Sequence, residues 1–324
     1  MKFIDAAQLH KLLDYPALLE ELARAHQQDF EVMERMLLEQ PAPKDQALKN
    51  HFLLWPAWQR EQALGIKLIT SFPANSAGAS HLPTVQGLYL LFDGQNGQPI
   101  ACLDGVALTL RKTAADSALG ARFLARQDAR ILLMVGAGEL APHLIAAHCV
   151  ARPSLQHILL WNRTRTRAER LAASLKSTGL QIEICNTLAK GVRAADIISC
   201  ATAATKPLIN GQWLKSGAHL DLVGGFTPVM RETDNEAILR AELYVDSRQF
   251  TLHECGDLSQ PLAVGLINAQ AIKADLFELC RSERPGRQSD SAITLFKNGG
   301  GAHLDLMVAR YALESVSKRS SPPF

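Results

Sequence analysis

A chain of 324 residues, 47% apolar and 20% charged, is long enough for two domains that each bury a core of their own. Its formal net charge of +2 provides no basic excess of the kind that binds nucleic acid or an anionic membrane. No apolar run reaches the ~18 residues of a membrane span, and Met1-Lys2-Phe3-Ile4-Asp5 lacks a signal-peptide core, so the expectation is a cytoplasmic protein with no membrane partner. Cys102, Cys149, Cys185, Cys200, Cys255 and Cys280 are scattered without a CxxC pair and read as reduced thiols. His143 and His148 lie five apart and do not share a helix face, so no metal site is expected.

In chain order, residues 6–38 carry Leu9, Leu12, Leu13, Leu18, Leu19 and Leu22 at helical spacing, with Pro16 near a helix start, and predict helix. Residues 51–72 turn strand-like, because His51–Trp58 is apolar and aromatic and residues 63–70 alternate. A loop of small residues, 73–83, leads to a strand over 84–92. The turn Asp93-Gly94-Gln95-Asn96-Gly97 then returns the chain through 99–103 as a hairpin. The first hundred residues therefore read as helix plus mostly antiparallel sheet. Alanine-rich residues 113–125 predict a helix. Beyond them the stretches 131–135, 142–151, 157–161, 166–177, 181–185, 187–194, 196–200 and 219–223 alternate between strand and helix character. That rhythm predicts an α/β Rossmann fold, a doubly wound parallel sheet. Residues 232–254 add a helix and a strand, 281–290 read as a mobile stretch, and a helix over about 301–317 precedes a tail, 318–324, expected to be disordered.

The most informative stretch is Ile131-Leu132-Leu133-Met134-Val135-Gly136-Ala137-Gly138-Glu139-Leu140-Ala141. Five apolar residues in a row suit a strand buried on both faces. Gly136, Gly138 and Ala141 then form GxGxxA ahead of a helical stretch. Gly136 permits the tight turn, Gly138 has no Cβ to hold a pyrophosphate off the backbone, and Ala141 lets helix approach strand. The second strand, His157–Trp161, ends at Asn162-Arg163-Thr164. A carboxylate at this point accepts hydrogen bonds from the adenosine ribose of NAD. Neutral Asn162, with Arg163 and Thr164 beside it, instead favours a 2′-phosphate, so NADPH is preferred and NADH is the alternative. Of Arg163, Arg165, Arg167 and Arg170, some form a solvated helix face, Arg170 first among them.

Several segments resemble the ornithine cyclodeaminase/mu-crystallin family: Lys112-Thr113-Ala114-Ala115-Asp116-Ser117-Ala118-Leu119-Gly120-Ala121, residues 82–87, Pro228–Glu232, Val245–Arg248, Glu254–Leu258 and Ile293–Lys297. The resemblance runs through nearly the whole chain, with the segments in order. It implies an NAD(P)-binding Rossmann domain, 113–299, inserted into an α+β substrate and dimerisation domain, 1–112 with 300–324, and a homodimer. Members include cyclodeaminases, alanine dehydrogenases and reductases of cyclic imino acids.

The same resemblance implies substrate-carboxylate ligands at Arg35, Lys67 and the basic residue before Thr113, which is Lys112 with Arg111 alongside; both stay open, and Thr84 joins the substrate set. Arg35 reads equally as a surface helix residue. Lys67 interrupts an apolar strand, where an unpaired ammonium is costly, so it faces either the surface or a polar pocket. It is expected to act as proton donor or carboxylate clamp. Loop residue His81 is a second candidate donor, and Asp305 matches a family acid that could orient Lys67 or simply cap structure. On the cofactor side the implied residues are Lys112, Thr113, Gly136, Ala137, Gly138, Glu139, Leu140, Asn162, Arg163, Thr164, Arg167, Cys200, Ala201, Thr202, Val223, Gly224 and Gly300. Thr113 is taken as opening a helix.

The sequence departs from the cyclodeaminase pattern at Leu222-Val223-Gly224-Gly225-Phe226, where the family's cyclodeaminases carry an aspartate after the glycines. A phenyl ring takes no proton, so ornithine cyclisation is disfavoured, and Phe226 becomes an aromatic wall for a flat substrate. The expected activity is NADPH-dependent reduction of a cyclic imino acid, Δ1-pyrroline-2-carboxylate or Δ1-piperideine-2-carboxylate. The alternatives are an alanine dehydrogenase-like or cyclodeaminase activity, or a mu-crystallin-like protein that binds NADPH without turnover.

Overall fold

A computed structural model describes residues 1–40, 49–76 and 82–320. The first elements are β1 (Lys2–Ile4), α1 (Ala6–Leu12), α2 (Tyr15–Ala25), β2 (Glu31–Val32), β3 (Met36–Gln40), β4 (Asn50–Gln59), β5 (Ala63–Ser71), β6 (Val85–Asp93), β7 (Pro99–Asp104) and α3 (Gly105–Leu124). There follow β8 (Ile131–Val135), α4 (Leu140–Ala151), β9 (His157–Trp161), α5 (Arg165–Ser174), β10 (Gln181–Ile184), α6 (Leu188–Ala194), β11 (Ile197–Cys200) and β12 (His219–Leu222). The chain closes with α7 (Asn235–Arg240), β13 (Glu242–Val245), α8 (Arg248–Glu254), α9 (Gly256–Ala263), β14 (Ile272–Asp275), α10 (Leu276–Cys280), β15 (Thr294–Lys297) and α11 (Ala302–Ser320). It divides into two units, Met1–Lys112 with Gly301–Phe324 and Thr113–Gly300. Among the described residues no helix is long and apolar enough to cross a membrane.

In the first unit the leucine spacing does make helices, but the expected helix over 6–38 is three different things. Asp5 caps α1 through a capping box with Gln8, and Asp14 caps α2, with its side chain accepting from the Ala17 N–H and Pro16 in the first turn. Beyond Ala25 the apolar spacing ends. Glu31–Val32 and Met36–Gln40 instead pair antiparallel with β4. Leu37 and Leu38 satisfy their backbone on a neighbouring strand rather than within a helix turn, and local spacing carries no record of that partner. The sheet runs β1-β7-β6-β5-β4-β2, with β3 also on β4. Trp55, Lys67 and Tyr89 lie side by side across β4, β5 and β6 and are all buried on the face against which α11 packs. The opposite face carries the register rows Leu54–Leu68–Leu88 and Pro56–Ile66–Leu90, with Phe52 beside Leu38. Leu38, Phe52, Leu64 and Leu88 are about two-fifths exposed or more.

The helix expected from residue 113 starts at Gly105, because the Asp104 carboxylate accepts from the Ala107 N–H at 2.8 Å and opens the helix there. The final helix runs on to Ser320, past the expected end at 317, and residues 321–324 lie outside the described residues.

The second unit is built on an eight-stranded, wholly parallel sheet in the order β10-β9-β8-β11-β12-β15-β13-β14, a doubly wound α/β fold. Its strands are short and nearly continuous in buried apolar residues, as a sheet covered on both faces requires. A buried carboxylate, Asp221, ties this core together: it accepts from Ser117 Oγ at 2.8 Å and Ser199 Oγ at 2.7 Å, with His148 Nε2 at 3.0 Å. Burial opposes its ionisation, yet the bonds from His148 and Ser199 prevail and keep its pKa below the ordinary aspartate value. Segment 281–290, expected to be mobile, is pinned. Arg287 donates to the carbonyls of Leu124, Gly217, Ala218, Ser289 and Ala292 and to Thr294 Oγ1.

Candidate active site

The glycine loop of the second unit follows the geometry its sequence requires. Gly136 has φ +107°, and a Cβ there would lie 2.4 Å from the Ala201 carbonyl oxygen, so only glycine fits. A Cβ on Gly138 would meet nothing within 4 Å, which leaves its backbone open to a ligand. Glu139 then precedes α4, whose first residue is Leu140. The Glu139 side chain makes no capping bond. The Ala141 N–H donates to the Gly138 carbonyl at 3.1 Å and Pro142 has no N–H, so it is the Leu140 N–H that the start of α4 offers an anion.

Around this turn lies a pocket of about 300 Å³ in which Gly136, Ala137 and Gly138 face Asn162, Arg163, Thr164 and Arg167, with Ala201 and Thr202 on a third side. The remaining wall, Trp161, Ala203, Ala204 and Leu208, was not foreseen; only its position at the end of β9 and after β11, strands flanking β8, could have suggested it. Cys200 is the fully buried last residue of β11, and burial pushes its thiol well above the ordinary value. Its side chain belongs to the core, and the loop beyond it lines the pocket.

Asn162 has an occupation the sequence did not reveal. Its Oδ1 accepts from the Ala137 N–H at 3.2 Å, and its Nδ2 donates to the Thr164 carbonyl at 2.8 Å. It braces the glycine loop against the turn after β9. Arg163 and Arg167 are exposed on the pocket rim and make no ion pair or side-chain hydrogen bond among the described residues. Arg165 is paired with Glu169 at 3.1 Å, and Arg170 lies on its own helix with Nε 3.4 Å from the Thr166 carbonyl. Thr113 does not open a helix. It sits inside α3, so its N–H is part of the helix ladder, and its carbonyl accepts from Asn298 Nδ2 at 3.1 Å. Gly299 and Gly300 donate their N–H groups to Asp246 Oδ2 at 2.9 and 2.6 Å, and Gly300 has φ +72°. A Cβ at residue 299 would fall 2.5 Å from Thr251 Oγ1, so this turn is shaped by glycine. Val223 is buried and Gly224 follows β12. Phe226, in the same unit, is 51% exposed beyond the Gly224–Gly225 turn.

The first unit holds a second concentration of charge. Lys67 Nζ lies 3.3 Å from Asp305 Oδ1, and Lys112 Nζ lies 3.6 Å from Asp305 Oδ2 and 3.4 Å from the Gly301 carbonyl. All three side chains are buried. Two ammonium groups against one carboxylate leave an excess positive charge in a dry place, which favours a bound anion. Burial lowers the Lys67 pKa to about 8; Asp305 opposes that shift and Lys112 adds to it. Arg35 reaches the same neighbourhood through Trp55, its guanidinium carbon 5.9 Å from the indole centroid, and it sits between β2 and β3 rather than on a helix. Tyr89, missed by the sequence reading, is fully buried opposite Lys67. Its hydroxyl makes no hydrogen bond among the described residues and crowds Gly65, where a Cβ would lie 2.0 Å away.

The pair left open in the sequence separates here. Lys112 joins Lys67 and Asp305, whereas Arg111 stacks on Tyr15 at 4.7 Å and donates to the His10 carbonyl at 2.7 Å. Thr84 stands apart from the cluster, past the Ser71–Val85 pair that ends the β5–β6 ladder, with its carbonyl accepting from the Phe72 N–H. His81 lies outside the described residues.

The family model for the Ornithine cyclodeaminase/mu-crystallin family matches residues 8–320. Among relatives, the Δ1-pyrroline-2-carboxylate reductase of Paracoccus denitrificans is 44% identical over 255 residues, 79% of this chain and 80% of that protein. The protein of the same name from Colwellia psychrerythraea is 34% identical over 98% of this chain and 100% of its own length. Among solved structures, the Δ1-pyrroline-2-carboxylate reductase of Thermococcus litoralis, in complex with NADH and L-proline, superposes with a TM-score of 0.90 at 28% identity, covering 100% of both chains.

Proposed function

Because this chain belongs to the ornithine cyclodeaminase/mu-crystallin family, we propose that it is an NADPH-dependent reductase of cyclic ketimine carboxylates, converting Δ1-pyrroline-2-carboxylate or Δ1-piperideine-2-carboxylate to L-proline or L-pipecolate. The observation that carries the reading is the buried Lys67–Asp305–Lys112 cluster, in which cations outnumber the carboxylate. It suits a substrate whose C=N carbon adjoins a carboxylate. Lys112 holds that carboxylate, with Arg35 adjacent through Trp55. Lys67, protonated below about pH 8, keeps the ring nitrogen protonated, so the carbon is electrophilic and the amine product leaves with its proton in place. Asp305 fixes both ammonium groups. Phe226 leaves no acid after the glycine turn to assist loss of ammonia, which sets the reading apart from ornithine cyclisation.

The cofactor fits the second unit: an open backbone at Gly138, the Leu140 N–H at the start of α4, and two arginines on the rim that make no ion pair among the described residues. Gly136, Ala137, Gly138, Glu139 and Leu140 would hold the pyrophosphate, and Arg163, Thr164 and Arg167 the adenosine end. When bound, reduced nicotinamide supplies the hydride. Arg163 and Arg167, without an ion pair among the described residues, support NADPH over NADH. Arg163→Ala is expected to raise KM for NADPH about tenfold while leaving KM for NADH nearly unchanged. Steady-state assays with both cofactors check this, and equal effects remove the 2′-phosphate role.

The first unit is also the proposed dimer surface. Antiparallel sheets with one wet face normally alternate polar residues onto it, whereas here Leu54, Leu68, Leu88, Pro56, Ile66 and Leu90 make that face apolar. A second copy of the chain would cover it. The six cysteines are all free thiols, which supports a reducing, cytoplasmic setting.

Purified protein given NADPH should consume it with Δ1-pyrroline-2-carboxylate. Consumption only with pyruvate plus ammonia would overturn the cyclic-imine reading in favour of an amino-acid dehydrogenase. Tight NADPH binding with no turnover on any imine would make the protein a binding protein.

A further inference from the structure

Glu232 lies in a buried charged group that the mechanism above does not use. It is fully buried between β12 and α7, in the segment Pro228–Glu232. Its Oε1 accepts from the Thr202 N–H at 2.7 Å and from Thr202 Oγ1 at 2.8 Å, and its Oε2 accepts from the Gly224 N–H at 2.8 Å. Its backbone carbonyl accepts from the N–H groups of Leu208 and Ile209 at 2.9 and 3.0 Å. Thr202 and Leu208 line the pocket beside the glycine loop, and Gly224 leads the turn after β12. One side chain therefore ties the loop after β11 to the loop after β12. The two loops pass so close that a Cβ on Gly224 would fall 2.0 Å from the Thr202 carbonyl.

We propose that Glu232 is a positioning residue for the nicotinamide cofactor: its ionised carboxylate clamps Thr202 and Gly224 together and so sets the shape of the pocket that receives it. The inference rests on the cofactor assignment made above. The Thr202 and Gly224 groups on the carboxylate are donors, as is the Cys200 thiol that also bonds it, and two of these donors are backbone N–H groups that cannot reverse, so the acceptor-only, ionised form matches the site. The groups facing it are Lys297 from β15, Asp257 from α9 and Cys200 from β11. Asp257 Oδ1 accepts from the Glu232 and Thr233 N–H groups at 2.8 and 3.2 Å and so holds the backbone of the clamp. Lys297 Nζ lies 3.4 Å from Asp257 Oδ2 and donates to the Leu222 carbonyl at 3.1 Å. Burial raises the Glu232 pKa to about 7; Lys297 works against that rise and Asp257 adds to it. As pH falls through about 7 the carboxyl takes up a proton, one acceptor position is lost, and the clamp loosens.

The test is cofactor binding rather than turnover: NADPH and, separately, NADH titrated into the full-length protein between about pH 6 and pH 8.5, followed by nicotinamide fluorescence. NADH has no 2′-phosphate, so its titration excludes protonation of that group as the cause. Wild-type Kd is expected to rise for both cofactors as pH falls through about 7. Glu232→Gln places an amide N–H₂ against a donor; it should bind about tenfold more weakly at high pH and lose the pH dependence. A merely structural role would leave the pH profile in place. Thr202→Val, which removes one donor from the carboxylate, should move the midpoint of the profile upward, and it carries the test if Glu232→Gln does not fold. A pH-independent wild type, a Glu232→Gln profile like that of wild type, or an unmoved Thr202→Val midpoint overturns the proposal. Gly138→Ala separates the two readings. If that change weakens binding while Glu232→Gln does not, only the clamp is wrong; if wild type binds neither cofactor, the assignment beneath it is wrong.

Discussion

Lys67→Met is expected to lower kcat/KM for Δ1-pyrroline-2-carboxylate reduction by about a thousandfold, within the range for losing a positioned proton donor that also neutralises a substrate charge. Methionine fills much the same volume in β5 and keeps the strand apolar, so the loss is one of charge rather than packing. Asp305 is not stranded by the change, because Lys112 remains 3.6 Å from its other oxygen. The fold should therefore survive, with a melting curve close to wild type as the check. The pH profile adds a second reading. The folded-state pKa of Lys67 is lowered to about 8, so its proton is present below that value and lost as pH rises through it. Wild-type kcat/KM should decline above about pH 8, and the residual rate of Lys67→Met should show no such limb. A variant that retains wild-type rates removes Lys67 from the mechanism.

The two glycines of the nucleotide loop should fail in different ways. Gly138→Ala adds a methyl group into open space, at a residue outside the left-handed region, so the melting temperature of the cofactor-free protein should hardly move. NADPH affinity should nevertheless fall about a hundredfold, because the methyl group occupies the place where the pyrophosphate meets the backbone. Gly136→Ala should damage both properties. It forces a side chain onto φ +107° and drives its Cβ to 2.4 Å from the Ala201 carbonyl. The strain alone costs on the order of 1–3 kcal/mol, enough to lower the melting temperature by several degrees. Calorimetry of the two variants with and without NADPH checks the contrast. Wild-type affinity in Gly138→Ala would take the pyrophosphate away from this loop.

Local chemistry made the nucleotide-binding half of the fold legible. Strands 131–135 and 157–161 stand where apolar runs end in glycine or polar residues, a signal contained within each segment. The order of the strands is a different matter. Thr294–Lys297 inserts between β12 and β13, a pairing set by packing across distant parts of the chain, and the sequence offered the segment only as a motif. The same limit explains β2 and β3, whose leucines read as helix until β4 is there to receive them. In the site, Lys67 stood out because a cation interrupts an apolar strand. Its bond to Asp305 joins residues 238 apart, and Tyr89 opposite it looked like any strand tyrosine. Glu232 was hidden for a related reason. Its carboxylate bonds to Thr202 and Gly224, which only the parallel order of β11 and β12 brings together.

Asn162 complicates any attempt to redesign coenzyme preference. Swapping in an aspartate to attract NADH supplies the missing negative charge, and one of its oxygens could still receive the Ala137 amide. The other oxygen would then oppose the Thr164 carbonyl that the asparagine amide now serves at 2.8 Å. A redesign at this position should therefore rebuild the 162–164 corner in the same step, since a lone exchange trades a wanted ribose contact for repulsion between two acceptors.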